Sequence, residues 1–131
     1  MTYNKMPPVI CLCGSTKFKD TFLEVAKKFT LNNTIVVMPG VFGHFGDIIT
    51  EEQKQQLDTL HKYKIVMSDI VFVVDVDKYV GKSTSEEIGF AKALNKPIYY
   101  YSDMMEKKEE KENENVSSWS DFYLRRFTEE Y

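Results

Sequence analysis

Residues 9–16 read VICLCGST and combine two signals that together indicate an α/β fold. Val9 to Cys13 is a short, continuous apolar run, which is typical of a strand buried on both faces. The small residues behind it are typical of a turn into a helix, and from Phe18 to about Leu31 apolar residues recur at helical spacing between charged ones. The chain therefore opens with a buried strand that is followed by a helix.

The same alternation continues along the chain. Thr50 and Gln53 form a capping-box pattern at the start of the second predicted helix. Strands that alternate with helices need right-handed crossovers, which produce a parallel sheet with helices on both faces. We therefore expect a doubly wound α/β fold of the flavodoxin/Rossmann type, with a mainly parallel sheet of four or five strands. The further predicted elements are a strand at 34–38, a helix at 51–67, a strand at 70–76 (IVFVVDV), a helix from about Ser85 and a strand at 97–101.

The C-terminal part of the chain has a different composition. Residues 106–115 (EKKEEKENEN) contain no apolar side chain and would form either a solvated helix or a disordered connector, of which we favour the second. Apolar residues at helical spacing over 118–129 predict an amphipathic helix that needs a surface to cover it, and a second subunit is one candidate. The expected organisation is one domain over 1–131, with the α/β core at 8–102, a polar connector at 103–117 and a C-terminal helix at 118–129.

Length, composition and charge restrict the class of protein. The chain has 131 residues, 43% hydrophobic and 28% charged, which suits one globular domain. A net charge of -3 disfavours DNA or RNA as a partner, since such interfaces need clustered lysine and arginine. Neither a targeting segment nor a membrane span is evident from the sequence, so we expect a cytoplasmic protein without a membrane partner.

The cysteines and histidines suggest no metal site. Cys11 and Cys13 lie two apart in a strand, so their side chains share one face and diverge from disulfide geometry; we interpret them as two small buried hydrophobes. His44 and His61 would complete a Cys2His2 set on paper, but the spacings match no known zinc pattern. We therefore predict neither a metal ion nor a cofactor.

In sheets of this kind, ligands bind outside the carboxyl ends of the strands, where the strand order reverses. Three predicted loops, at 14–17, 39–47 and 75–87, end there. The first opens at a helix start, where free backbone N–H groups favour an anion, and Lys17 would add a positive charge; alternatively, the glycine only makes a tight turn and Lys17 is solvated. The candidate binding residues in these loops are Gly14, Ser15, Lys17, Asp47, Asp75, Ser83 and Ser85.

Three further side chains are candidates for chemistry. Glu87 falls in the first turn of the third predicted helix, where the helix dipole would keep it ionised as a nucleophile or an anchor for sugar hydroxyls. Asp58 and His61 share a face of the second helix, and either would supply a proton if that face turns toward the crevice. The alternative is an ordinary helix-start acid and two solvated surface residues.

Several motifs, taken in order, resemble a known family. They are CGSTKF at 13–18, Met67-Ser68-Asp69 before IVFVVDV, and Glu87-Ile88-Gly89 with Ala91 behind it. Over roughly residues 8–102 the chain is similar to the nucleoside 2-deoxyribosyltransferase superfamily, which includes the 2'-deoxynucleoside 5'-phosphate N-hydrolases. The resemblance implies that Glu87 attacks the anomeric carbon and that a glycosyl-enzyme intermediate is resolved by a base or water. It also implies that Gly14, Ser15 and Lys17 contact a 5'-phosphate.

The resemblance further implies a homodimer in which C-terminal segments shape the neighbouring site. The second acid of the family usually lies eight residues before the aspartate that opens the strand, and His61 holds that place here, with Asp58 one turn earlier. Three alternatives remain open at this position. Asp58 still reaches the site from a longer helix, His61 has taken over protonation of the leaving group, or the glycosidic chemistry is lost. Ser83, Ser85 and Glu86 stand where the family has glycines. The hypotheses are therefore an N-glycosidic enzyme acting on 2'-deoxynucleosides or their 5'-monophosphates, or a non-catalytic sensor of a nucleotide-like ligand.

Overall fold

The computed structural model describes residues 6–43, 46 and 48–112. Within these residues the chain alternates strands and helices as the sequence predicts. The elements are β1 (Val9–Cys13), a 3-10 turn (Thr16–Phe18), α1 (Lys19–Leu31), β2 (Ile35–Val37), α2 (Glu51–Met67), β3 (Ile70–Val73), a second 3-10 turn (Val76–Lys78), α3 (Lys82–Ala93), β4 (Ile98–Tyr100) and α4 (Tyr101–Glu112).

The four strands form one sheet in the order β2-β1-β3-β4, and every pairing is parallel. This confirms the doubly wound α/β fold. The chain builds outward from β1 to β2, then crosses to the other side of β1 to add β3 and β4, so the strand order reverses between β1 and β3. That reversal opens a crevice at the carboxyl ends of these two strands, where ligands bind in folds of this kind.

The residues of β1 alternate between two apolar cores, one on each face of the sheet. Ile10 and Leu12 pack in the core that α1 and α4 cover, with Phe22 and Met104 as fully buried members. Cys11, Cys13 and Ile65 belong to the core under α2 and α3. Because successive strand side chains point to opposite faces, the i, i+2 spacing directs both cysteines toward α2 and α3.

The start of α2 follows its sequence signal closely. The Gln53 backbone N–H donates to Thr50 Oγ1 at 3.1 Å, and the Thr50 N–H donates to Gln53 Oε1 at 2.9 Å. The helix buries His61 and Ile65, whereas Leu60 and Met67 are 54% and 62% exposed. No helix among the described residues is long and apolar enough to span a membrane.

Helix α3 begins at Lys82, three residues before the predicted start at Ser85. Gly81 is the N-cap in an extended conformation, and the Ser85 N–H already donates to the Gly81 carbonyl at 2.9 Å. Ser83 and Ser85 therefore lie inside the first turn of α3. As a consequence Glu87 lies in the second turn and not, as predicted, in the first.

Residues 103–112 were expected to begin a polar connector, but the structure shows them to be part of α4. The Asp75 carboxylate explains why this helix begins directly after β4. It accepts hydrogen bonds from the Ser102 N–H at 2.8 Å and from the Ser102 hydroxyl at 2.7 Å, so it caps the first turn. The prediction of a C-terminal helix at 118–129 lies outside the described residues.

Candidate functional site

A cavity of about 660 Å³ opens at the carboxyl end of the sheet. Its walls come from the segments that follow β1 and β2, from the inner face of α2 and from the start of α3. A volume of this size suits a small-molecule ligand. The structure brings together seven of the predicted site residues as lining of this cavity: Gly14, Ser15, Lys17, Asp58, His61, Ser83 and Glu87.

Three predicted binding residues are not among the lining residues. Asp75 is 4% exposed and is occupied in capping α4, so its predicted contact with a ligand is replaced by a structural role. Ser85 is exposed in the first turn of α3, outside the cavity lining. Asp47 lies outside the described residues, as does His44.

The segment after β1 approaches β3 so closely that it needs a glycine. A Cβ atom on Gly14 would lie 2.7 Å from the Val74 carbonyl oxygen, and the φ of Gly14 is +155°. Next to it, the Ser15 side chain caps the 3-10 turn by accepting from the Lys17 N–H at 3.4 Å. The predicted tight turn is therefore present, and it places Ser15 and Lys17 on the cavity wall.

Tyr79, in the predicted loop at 75–87, is a lining residue that was not among the candidate binding residues. The Lys17 ammonium lies 3.3 Å from the centre of the Tyr79 ring and 5.2 Å from that of Phe18. A cation over an aromatic face is attracted by the negative electrostatic potential at the face of the ring. Lys17 is thus held at the cavity wall by contacts between two loops that are distant in sequence.

Positive charge exceeds negative charge along this wall. Lysines outnumber carboxylates by four to two among the described lining residues. One of them, Lys64, is held in place by a hydrogen bond of 2.8 Å from its ammonium group to the Met38 carbonyl. An excess of cations in a concave site concentrates the positive potential there and favours an anionic ligand. The charged residues are Lys17, Lys54, Lys64 and Lys82 against Asp58 and Glu87.

Glu87 and His61 form a largely buried pair at the cavity. The Glu87 Oε2 and His61 Nε2 atoms are 3.6 Å apart, and the side chains are only 15% and 8% exposed. Burial raises the pKa of Glu87 from 4.5 to about 7, although the nearby charge of His61 opposes this change. Glu87 lies beyond the first helical turn, where the helix dipole was expected to favour its ionised form, and burial opposes that form.

His61 also contacts both cysteines. Its Nε2 atom is 3.2 Å from Cys13 Sγ and 3.8 Å from Cys11 Sγ. Burial lowers the pKa of His61, but the hydrogen bond with Cys11 and the charge of Glu87 outweigh burial and leave the pKa raised. Between the thiols, the hydrogen bond from Cys13 lowers the pKa of Cys11 to about 6, whereas that same bond and burial raise the pKa of Cys13. The pair therefore loses its first proton easily and its second with difficulty.

The interpretation of the cysteines as two buried hydrophobes missed this polar contact. Both thiols are free and buried as predicted, but they face an imidazole and a carboxylate instead of apolar side chains alone. Two sequence signals together could have revealed the contact. The cysteines share one face of β1, and His61 lies one helical turn before Ile65, which packs against that same face.

No protein-family model matches the chain, and no curated protein matches it. The cavity, its charges and the motif residues that line it are therefore the features that bear on function.

Proposed function

We propose that this protein cleaves or transfers the N-glycosidic bond of 2'-deoxynucleosides or their 5'-monophosphates, with Glu87 as the nucleophile. The observation that carries the proposal is the position of Glu87, a largely buried carboxylate on the wall of a lysine-rich cavity at the strand-order reversal. A carboxylate with a pKa of about 7 is available in its ionised form at neutral pH. Its burial leaves it poorly hydrated, so little water must be displaced before it attacks.

In the proposed reaction a Glu87 oxygen forms a bond to the anomeric carbon while the bond from that carbon to the base nitrogen breaks. The electron pair of the broken bond leaves with the base, which takes up a proton. The developing positive charge on the sugar is stabilised by the carboxylate that faces it. Water or an acceptor base then attacks the same carbon and releases the Glu87 carboxylate.

Asp58 is the better placed of the two candidates for delivering the proton. It lies on the exposed part of the cavity wall, one helical turn from His61, and its charge is close enough to raise the pKa of Glu87. The His61 Nε2 atom is already occupied by Glu87 and the thiols. We therefore assign proton delivery to Asp58 and the positioning of the Glu87 carboxylate to His61.

The lysines support a 5'-monophosphate over an uncharged nucleoside. A phosphate beside Ser15 and Lys17 would receive a hydroxyl hydrogen bond and an ammonium contact, while Lys82 lies on the same wall. These side chains would neutralise the phosphate without touching the reacting carbon. They therefore supply binding energy and orientation.

The proposal includes a cytoplasmic homodimer. Two free thiols suit a reducing compartment, and α2 exposes an apolar row that a second copy of the chain would cover. Its members are Leu60, Tyr63, Val66 and Met67, which are 48% to 67% exposed.

The test is chromatography of the purified protein incubated with each 2'-deoxynucleoside and each 5'-monophosphate, with and without an acceptor base. Free base should appear with the unmodified protein and with Glu86→Gln, an exposed neighbour in the same helix, but not with Glu87→Gln. A nucleotide-dependent rise in Tm without any release of base would instead identify a non-catalytic sensor. Equal release by Glu87→Gln would refute the nucleophile.

A further inference from the structure

Three potential metal ligands converge under α2 and α3. Cys11 Sγ, Cys13 Sγ and the nearest His61 ring nitrogen all lie within 4.8 Å of one another, and all three residues are buried. Two features of the fold bring them together. The strand alternation directs the two thiols to one face of β1, and the inner face of α2 carries His61 over them.

Glu87, on α3, lies beside this set of three and would complete it as a fourth ligand. Its Oε2 atom is 3.6 Å from the same His61 Nε2 atom that contacts the two sulfurs. A buried set of two thiols, one imidazole and one carboxylate provides four donor atoms of the types that zinc binds. Thiolate and imidazole together also favour zinc over magnesium or calcium, which prefer oxygen ligands.

The distances between the His61 nitrogen and the two sulfurs fit a tetrahedral ion. Zinc bond lengths of about 2.3 Å to sulfur and about 2.0 Å to nitrogen place neighbouring sulfur and nitrogen ligands about 3.5 Å apart. The observed distances from His61 Nε2 to Cys13 Sγ and Cys11 Sγ are 3.2 and 3.8 Å, on either side of that value. The two sulfurs lie within 4.8 Å of each other, and a tetrahedral zinc ion would hold them about 3.8 Å apart.

The cavity gives an ion a route to these atoms. His61 and Glu87 line it, whereas the cysteines lie behind them in the core. An ion that enters from the cavity would therefore meet the carboxylate and imidazole before the thiols. The charge of the Lys64 ammonium helps to lower the pKa of the Cys11 thiol. The same charge would offset the net negative charge that two thiolates and a carboxylate leave around a divalent ion.

We propose that Cys11, Cys13, His61 and Glu87 bind one Zn²⁺ ion or a chemically similar thiophilic divalent ion. The site does not depend on the proposed glycosidic activity. The two would exclude each other, because a carboxylate bonded to zinc is not free to attack a sugar. In a protein with both properties, zinc acts as an inhibitor that a chelator removes.

The test is titration of the chelator-treated, reduced protein with Zn²⁺ followed by calorimetry, and with Co²⁺ followed by absorption spectroscopy. We expect one ion per chain, intense visible bands of tetrahedral cobalt and a thiolate-to-cobalt charge-transfer band. Cys11→Ser and Cys13→Ser should each weaken Zn²⁺ binding about 100-fold or more, since loss of a direct ligand costs at least as much as loss of an outer contact. Glu86→Gln, a change in an exposed carboxylate outside the four ligands, should bind Zn²⁺ as the unmodified protein does.

The unmodified protein keeps the test decisive if a serine variant fails to fold. Absence of the charge-transfer band from that protein would overturn the site, as would Zn²⁺ binding that folded serine variants retain. Release of base in the presence of a chelator, without any Zn²⁺ binding, would refute the metal site and support the glycosidic function. Zn²⁺ binding, together with no release of base in the presence of a chelator, would support the metal site and refute the glycosidic function.

Discussion

Replacement of Glu87 by glutamine should stabilise the protein above neutral pH. The folded state raises the pKa of this carboxyl from 4.5 to about 7, mainly through burial. Between these two values the folded protein holds a proton that the unfolded chain has lost, so the free energy of unfolding falls as pH rises through this window. One pKa unit corresponds to about 1.4 kcal/mol, so the full cost of ionising Glu87 is up to about 3 kcal/mol and is reached above pH 7.

Glutamine has nearly the same shape and no charge to desolvate. Glu87→Gln should therefore match the unmodified protein at pH 4.5, where both side chains are neutral, and exceed its stability by up to about 3 kcal/mol at pH 8. Urea unfolding at both pH values measures the difference. Glu86→Gln is the matched control, because this exposed neighbour should change the unfolding free energy by less than about 0.5 kcal/mol at either pH. A Glu87→Gln variant that is less stable at pH 8, or that differs equally at both pH values, would refute the reasoning.

Three other substitutions test the structure around the cavity. Gly14→Ala should cost about 2 kcal/mol of unfolding free energy, because its Cβ would lie 2.7 Å from a carbonyl oxygen, whereas Gly40→Ala, with open space around it, should change stability by less than about 0.5 kcal/mol; equal effects in urea unfolding would contradict the close approach. Asp75→Ala should cost about 1–2 kcal/mol by removing both hydrogen bonds to Ser102 and should reduce the helix signal in circular dichroism, and no loss would contradict its capping role. Lys17→Ala should weaken binding of a 2'-deoxynucleoside 5'-monophosphate about tenfold in calorimetry, with little effect on the unphosphorylated nucleoside; an equal loss for both ligands would place the phosphate elsewhere.

Features of the fold that depend on local signals could be predicted from the sequence. The bounds of β1 and α2 follow from a continuous apolar run and a capping box, both of which are complete within a few residues. The alternation of elements was enough to predict a parallel, doubly wound sheet. The location of the cavity follows from that topology, since crevices form where the strand order reverses.

Features that depend on distant contacts could not be predicted in the same way. The early start of α4 depends on Asp75, which is 27 residues before its partner Ser102. The raised pKa of Glu87 results from packing around it, which a helix-position rule does not include. The contact between His61 and the cysteines joins residues 48 and 50 positions apart, and it depends on which face α2 turns toward the sheet.

In the proposed reaction Glu87 forms a covalent bond with the sugar. The most direct measurement is intact-protein mass spectrometry after an acid quench of the protein incubated with 2'-deoxynucleoside 5'-monophosphates under chelator, followed by peptide mapping. We predict an added deoxyribosyl phosphate mass on the peptide that contains Glu87, absent from Glu87→Gln and present in Glu86→Gln. Release of free base with no adduct on that peptide, or an adduct that Glu87→Gln retains, would contradict the account.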